Sequence, residues 1–344
     1  MGIFSEDSRV KFPTIKHLME MGYEYISFKG VTHKEGSLEK TEVDPSTNIL
    51  TDVFKKAYLK LNPGKDDSDF KSLLSKIQNC LNNDDLGKQF YNEYLVNDHD
   101  DDKIIDLSNP ENFRVNNTFQ VATELTCGKL DSDNYRPDIT LFVNGLPLAF
   151  IEVKIENNSK GISAETERMK NRFRTKAFRP YLNITQIMVF SNDMEYAQEN
   201  RPPERGAYYA TIGKRDTKYS TFREEGQDSF PIKSYPHVVT RLSEELMLKD
   251  NNVPSYINLS EYKENCRNSN TPTKRICNSI FSFERFHFFL KYGIAYADYS
   301  FGKQKHIMRY LLQRLLKELL IREFIKVLFG ILKEVERQPL LFTM

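Results

Sequence analysis

Arg136-Pro137-Asp138-Ile139-Thr140-Leu141-Phe142-Val143-Asn144-Gly145-Leu146-Pro147-Leu148-Ala149-Phe150-Ile151-Glu152-Val153-Lys154 is the stretch whose reading decides the fold. An Asn-Gly dipeptide, both of whose residues accept positive φ, separates two runs rich in β-branched and aromatic residues, the strongest short-range signal for a β-hairpin. Alternation then sorts the side chains. Ile139, Leu141 and Val143 share one face and Asp138, Thr140 and Phe142 the other, while Ala149, Ile151 and Val153 oppose Phe150, Glu152 and Lys154. A strict two-residue turn would pair Val143 with Leu146 and set Asp138 against Ile151, on the wrong face, because a one-residue slip inverts every side chain. One extra residue near Pro147, which has no N–H to give the ladder, restores Asp138 to a place opposite Glu152.

Two carboxylates so placed can share a hard divalent cation such as Mg²⁺, which keeps several waters and supplies a hydroxide-like nucleophile. Lys154 beside them would orient that water and offset charge developing on a phosphate. The bland alternative is a surface hairpin whose Glu152 and Lys154 form a solvated pair. Both, however, close an apolar strand, where charges are costly without partners, which favours a site. The same residues carry a family resemblance. Pro-Asp, a hairpin and Glu-x-Lys form the signature of PD-(D/E)xK nucleases, and the whole run 136–154 resembles the N-terminal endonuclease domain of the R (restriction) subunit of type I restriction-modification enzymes. The resemblance implies an α/β nuclease core with a mixed central sheet flanked by helices. It also implies Mg²⁺, or Mn²⁺ in its place, held by Asp138, Glu152 and the Val153 carbonyl, with Asp138, Glu152 and Lys154 catalytic.

Composition frames this reading. With 344 residues the chain is long enough for one good core and part of a second. Charged residues are 28% yet the net charge is only +1, so any DNA contact must use a local basic patch. Cys80, Cys127, Cys266 and Cys277 lie far apart without Cys-x-x-Cys spacing, which argues against zinc and for reduced thiols. No run of eighteen apolar residues and no basic-then-apolar leader occurs, so a soluble cytoplasmic protein without membrane contact is expected.

Before the hairpin, Ile15, Leu18 and Met19 keep helical spacing and Gly22 is a plausible stop, so a helix should deliver the chain to a Tyr23-Glu24-Tyr25-Ile26 strand. The resemblance places a metal-binding carboxylate on this helix, and Glu6 is the choice, with Asp7 close behind. Both acids also suit the positive end of a helix without any metal. Residues 51–95 carry helical apolar stripes broken at Asn62-Pro63-Gly64 and Asn82-Asn83-Asp84-Asp85, and the run Asp98 to Asp102 reads as a solvated turn. Phe119-Gln120-Val121-Ala122 starts the strand before the hairpin, in a segment that again resembles the R-subunit family.

After it, 165–176 should be a basic helix and 186–192 a strand. The family usually carries Gln-x-x-x-Tyr on that helix, and this chain departs from it, with Glu167, Arg168 or Met169 where Gln is expected. Arg168, Lys170, Arg172, Arg174 and Lys176 either contact DNA phosphates or form a solvated basic face. The domain reading is a nuclease domain over 1–230, then a linker and the start of a superfamily 2 motor over 231–310, with Lys303 to Tyr310 similar to the motor's lead-in. No Gly-Lys-Ser/Thr loop occurs, so the chain in this frame should not hydrolyse ATP. Back-translated and read one nucleotide earlier, residues 329–344 can yield Gly-Ser-Gly-Lys-Thr, so 311–344 is expected to be an out-of-frame tail, and ATP a cofactor only of the frame-corrected enzyme. By the resemblance, that enzyme cuts double-stranded DNA after translocation, together with modification and specificity subunits. The rival reading is a motorless module that docks on DNA or those subunits without cutting.

Overall fold

The structure is a computed structural model that describes residues 5–96, 102–127, 135–154, 168–172, 174–195, 206–212, 217–221, 237–300 and 302–307. Its strands are β1 (Glu24–Tyr25), β2 (Val31–His33), β3 (Gly36–Leu38), β4 (Phe119–Thr123), β5 (Ile139–Val143), β6 (Leu146–Val153), β7 (Ile187–Ser191), β8 (Ala207–Ile212), β9 (Thr217–Thr221), β10 (Ile294–Tyr299) and β11 (Gly302–Ile307). The helices used below are α1 (Phe12–Glu20), α2 (Thr51–Leu61), α3 (Asp67–Cys80), α4 (Pro110–Asn116), α5 (Arg179–Ile184), α6 (Arg241–Asp250), α7 (Ser260–Arg267), α8 (Pro272–Phe281) and α9 (Phe283–Tyr292). The central sheet runs β1-β4-β5-β6-β7-β8-β9. It is parallel at β1/β4 and β6/β7 and antiparallel elsewhere, the mixed sheet expected of the nuclease core.

The β5–β6 hairpin is turned by Asn144 at φ 52° and Gly145 at φ 78°. Unusually for a turn, it is buried. The Asn144 side chain accepts from the Thr118 amide (2.8 Å) and donates to Ile104 O (2.9 Å), and a Cβ on Gly145 would stand 2.7 Å from Leu50 O. Only glycine accepts both that φ and that approach. The ladder pairs Val143 with Leu146 and Phe142 with Pro147, then Leu141 with Ala149, so Leu148 is the extra residue. The expected bulge is therefore present one position past Pro147, and Ile139 pairs with Ile151.

The bulge keeps the faces apart. Ile139, Leu141, Val143, Ala149, Ile151 and Val153 join the larger core with Ile15 and Leu18 of α1, Phe54 and Tyr58 of α2, and Phe281, Phe286 and Phe289 of α8 and α9. Phe142 and Phe150 face a second core with Met188 and Phe190 of β7, Met169, Phe178, and Tyr181 and Leu182 of α5. Strands buried on both faces are what such apolar runs require.

The stop of α1 is as read: Gly22 takes φ 106° and the Tyr23 amide returns to Leu18 O (3.1 Å). The stripes in 51–95 become chiefly α2 and α3. Residues 237–300 and 302–307, read as linker and motor lead-in, pack into the larger core. Tyr25 Oη donates to Asp250 (2.7 Å), Tyr23 Oη to Phe281 O (2.8 Å), and His17 pairs with Asn278 (2.6 Å). The polar, proline-punctuated composition after 230 thus does not mark a break in packing, because α8 and α9 turn their aromatic faces onto α1 and β4. The tail 311–344, with Arg309 and Tyr310, lies outside the described residues. No helix of the described residues is long and apolar enough to cross a membrane.

Candidate active site

The site is built where β5 begins and β6 ends. The Val153 amide donates to Asp138 Oδ2 (2.9 Å), so the carboxylate just before β5 is fastened to the backbone between Glu152 and Lys154. Lys154 Nζ lies 3.6 Å from Asp138 Oδ2, 3.6 Å from Glu152 Oε2, and donates to Val153 O (2.7 Å). Glu152 is only 4% exposed, and its backbone is locked by pairing of β6 with β7, where Glu152 lies opposite Phe190. The Lys154 amide continues that pairing to Ser191 O (2.8 Å). Of the four side chains named from the sequence, Asp138 and Glu152, with the Val153 carbonyl, lie around the ammonium of the third, Lys154.

Of the basic residues read as DNA contacts, Arg172 turns inward. Its Nη1 stands 3.8 Å from Glu152 Oε1, and its guanidinium lies 3.9 Å from the centre of the Tyr135 ring. Arg168, Arg174 and Lys176 are exposed and Lys170 is half-buried. Where the family resemblance expects the Gln of Gln-x-x-x-Tyr, the described candidates are an exposed Arg168 and a fully buried Met169. Residues 155–167 and 173 lie outside the described residues.

Two residues that the sequence reading missed stand next to Asp138. The Glu124 amide donates to Asp138 O (3.3 Å), and its carboxylate accepts from Lys11 Nζ (2.7 Å), which also lies 3.7 Å from Asp7 Oδ1. Lys11 is 3% exposed. Burial alone would lower its pKa, but the hydrogen bond to Glu124 and the charges of Glu124, Asp7 and Asp138 outweigh it and hold the ammonium above the ordinary lysine range. Lys11 in turn keeps the Glu124 carboxyl below the usual range. Asp7 at i, i+4 from Lys11 was a legible signal. Glu124 was not, since it leaves β4 at φ 49°, a conformation that nothing local encodes. Of the two acids read on the first helix, Asp7 lies 3.7 Å from Lys11 Nζ, and Glu6, the choice from the sequence, precedes it at the helix boundary.

The donor set suits a hard cation, being two carboxylates and a carbonyl, all oxygen. Among the described residues no group of three or more His, Cys, Asp or Glu converges on a point. The ammonium of Lys154 lies among those oxygens, 3.6 Å from each carboxylate and 2.7 Å from the carbonyl.

Comparison with known proteins bears on this geometry. Residues 3–203 match the model of the family described as "Type I restriction enzyme R protein N terminus". The chain belongs to that family. It is also 33% identical over 94 residues to a Methanocaldococcus jannaschii protein named "Putative type I restriction enzyme MjaVIIIP endonuclease subunit". The aligned stretch is 27% of this chain and 9% of that protein, so this chain spans a small part of its relative.

Proposed function

We propose that this member of the type I restriction enzyme R N-terminal family is an endonuclease that hydrolyses phosphodiester bonds of double-stranded DNA, using Mg²⁺ or Mn²⁺ at the Asp138–Glu152–Lys154 end of the sheet. Family membership supports an endonuclease role. The observation that carries the finer reading is the Lys154 ammonium held 3.6 Å from both Asp138 and Glu152, with Asp138 fastened to the Val153 amide.

Asp138, Glu152 and the Val153 carbonyl would hold the cation, which when bound supplies a Lewis acid and an acidified water. The Val153 N–H occupies Oδ2 of Asp138 and fixes the plane of that carboxylate. Lys154, beside the two carboxylates, would donate to the attacking water or to a non-bridging phosphate oxygen as negative charge builds there. Water adds to phosphorus and gives up a proton to solvent, the P–O ester bond breaks, and the leaving oxygen takes a proton from solvent. Arg168, Lys170, Arg174 and Lys176 would retain the DNA backbone through salt-dependent contacts.

Modification and specificity subunits are the proposed partners, the latter supplying the recognised sequence. ATP-driven translocation is not proposed of these 344 residues, which hold no Gly-Lys-Ser/Thr loop. Relaxation of supercoiled plasmid by the purified chain tests the reading. Cleavage with Mg²⁺ that EDTA and Lys154→Ala each abolish is expected. Cleavage indifferent to both, or none under any metal, would refute it.

A further inference from the structure

Glu152 is held from two sides. Lys154 Nζ faces its Oε2 at 3.6 Å, and Arg172 Nη1 faces its Oε1 at 3.8 Å. The arginine does not reach the site as a loose surface cation. Its guanidinium lies 3.9 Å from the Tyr135 ring centre, with Nη1 3.3 Å from the sulfur of Met169. Both supports are fixed, since Met169 is fully buried and Tyr135 is 2% exposed and anchored by the Cys127 amide on its carbonyl (2.8 Å). Tyr135 is wedged in turn against Phe150, Phe178 and Tyr181, at centroid distances of 5.9, 6.1 and 6.1 Å.

A phosphate-gripping arginine needs reach and freedom, whereas this one sits over an aromatic face beside a buried carboxylate. A planar guanidinium held over a ring is limited in where its N–H groups can point, which an ammonium on a flexible stem is not. We infer that Arg172 is a positioning residue: seated on Tyr135, it fixes the Glu152 carboxylate so that Oε2 stays turned toward Lys154 and Asp138. This rests on the nuclease reading above, because the orientation matters only if Glu152 is a ligand.

The test uses the full 344-residue chain, Mn²⁺ titration by calorimetry, and cleavage rate against Mn²⁺ concentration. Arg172→Lys and Arg172→Gln should each weaken Mn²⁺ binding on the order of 10-fold, as loss of a partner that orients a metal ligand does. Excess Mn²⁺ should then restore most of the cleavage rate. Tyr135→Leu should weaken binding in the same direction, and Tyr135→Phe, which keeps the ring face, should restore it. Wild-type affinity in both Arg172 variants, or in Arg172→Lys alone, would overturn the inference. So would a loss of affinity in Arg172→Lys accompanied by an equal fall in the thermal midpoint of the metal-free protein, which marks a packing role. If the wild type itself takes up no Mn²⁺, the nuclease reading fails and the inference with it, whereas a wild type that binds beside indifferent Arg172 variants removes only the inference.

Discussion

Asp138 accepts a hydrogen bond from the Val153 amide at 2.9 Å, so the carboxylate ahead of one strand is tied to the backbone of the next, between Glu152 and Lys154. The link exists because Leu148 is bulged out of the ladder, which brings the residue before Ile139 level with the residue after Ile151.

That bond separates two substitutions of similar size. Asp138→Asn keeps an acceptor for the Val153 N–H, while Asp138→Ala leaves this N–H, on a fully buried residue, unpaired. Both should lose divalent affinity, but Asp138→Ala should be less stable than Asp138→Asn by about 1–3 kcal/mol in urea denaturation. Equal stability would mean that the bond does not form.

Lys154→Ala removes the only ammonium lying between Asp138 and Glu152 among the described contacts. Metal-free protein should lose stability because two carboxylates then face each other, and Mg²⁺ should raise the thermal midpoint of the variant more than that of the wild type. Cleavage should fall by roughly 10²-fold or more while metal still binds, since the lysine acts on charge that develops in the transition state. Simultaneous loss of metal and of activity would reassign Lys154 to a structural role.

His17, buried against Asn278, gives the fold a pH signature. Burial, only partly opposed by the Asn278 hydrogen bond, lowers its pKa from 6.5 to about 4. Between these values the unfolded chain binds a proton that the folded chain refuses, so stability should fall as pH drops below 6.5 and the loss should level off below about 4. The span is on the order of 3 kcal/mol, at about 1.4 kcal/mol per pKa unit. His17→Gln should flatten the slope of urea stability between pH 7 and 4.5 relative to the wild type. Parallel slopes would contradict it.

The contacts of Tyr23 with Phe281 and of Tyr25 with Asp250 predict that a chain ended at residue 230 will not fold on its own. Phe281, Phe286, Phe289 and Leu290 are all fully buried, and removing them opens the face of the sheet they cover. Calorimetry should show no cooperative transition for residues 1–230. A transition at the midpoint of the full chain would make the segment beyond 230 a separate unit.

The hairpin, its faces and its bulge were legible because alternation, Asn-Gly and Pro147 all lie within twenty residues. The faces follow directly, with Ile151 and Val153 in one core and Phe150 in the other. What escaped is non-local. Glu124 joins the site through a left-handed backbone, Lys11 through an ion pair spanning 113 residues, and Arg172 through a ring presented by Tyr135. The same holds for residues 237–307. Their polar linker-like composition is read locally, but Asp250, Asn278 and Phe281 are used by partners more than two hundred residues away.

The central claim is that Asp138 and Glu152 hold one divalent cation together, and calorimetric titration of Mn²⁺ into the metal-free wild type and Asp138→Asn tests it most directly. Asp138→Asn preserves the Val153 hydrogen bond, so a change in affinity reports ligand charge rather than fold. One cation per chain bound by the wild type, and binding lost in Asp138→Asn with the thermal midpoint preserved, is the predicted result. Equal affinity in the two proteins would contradict it.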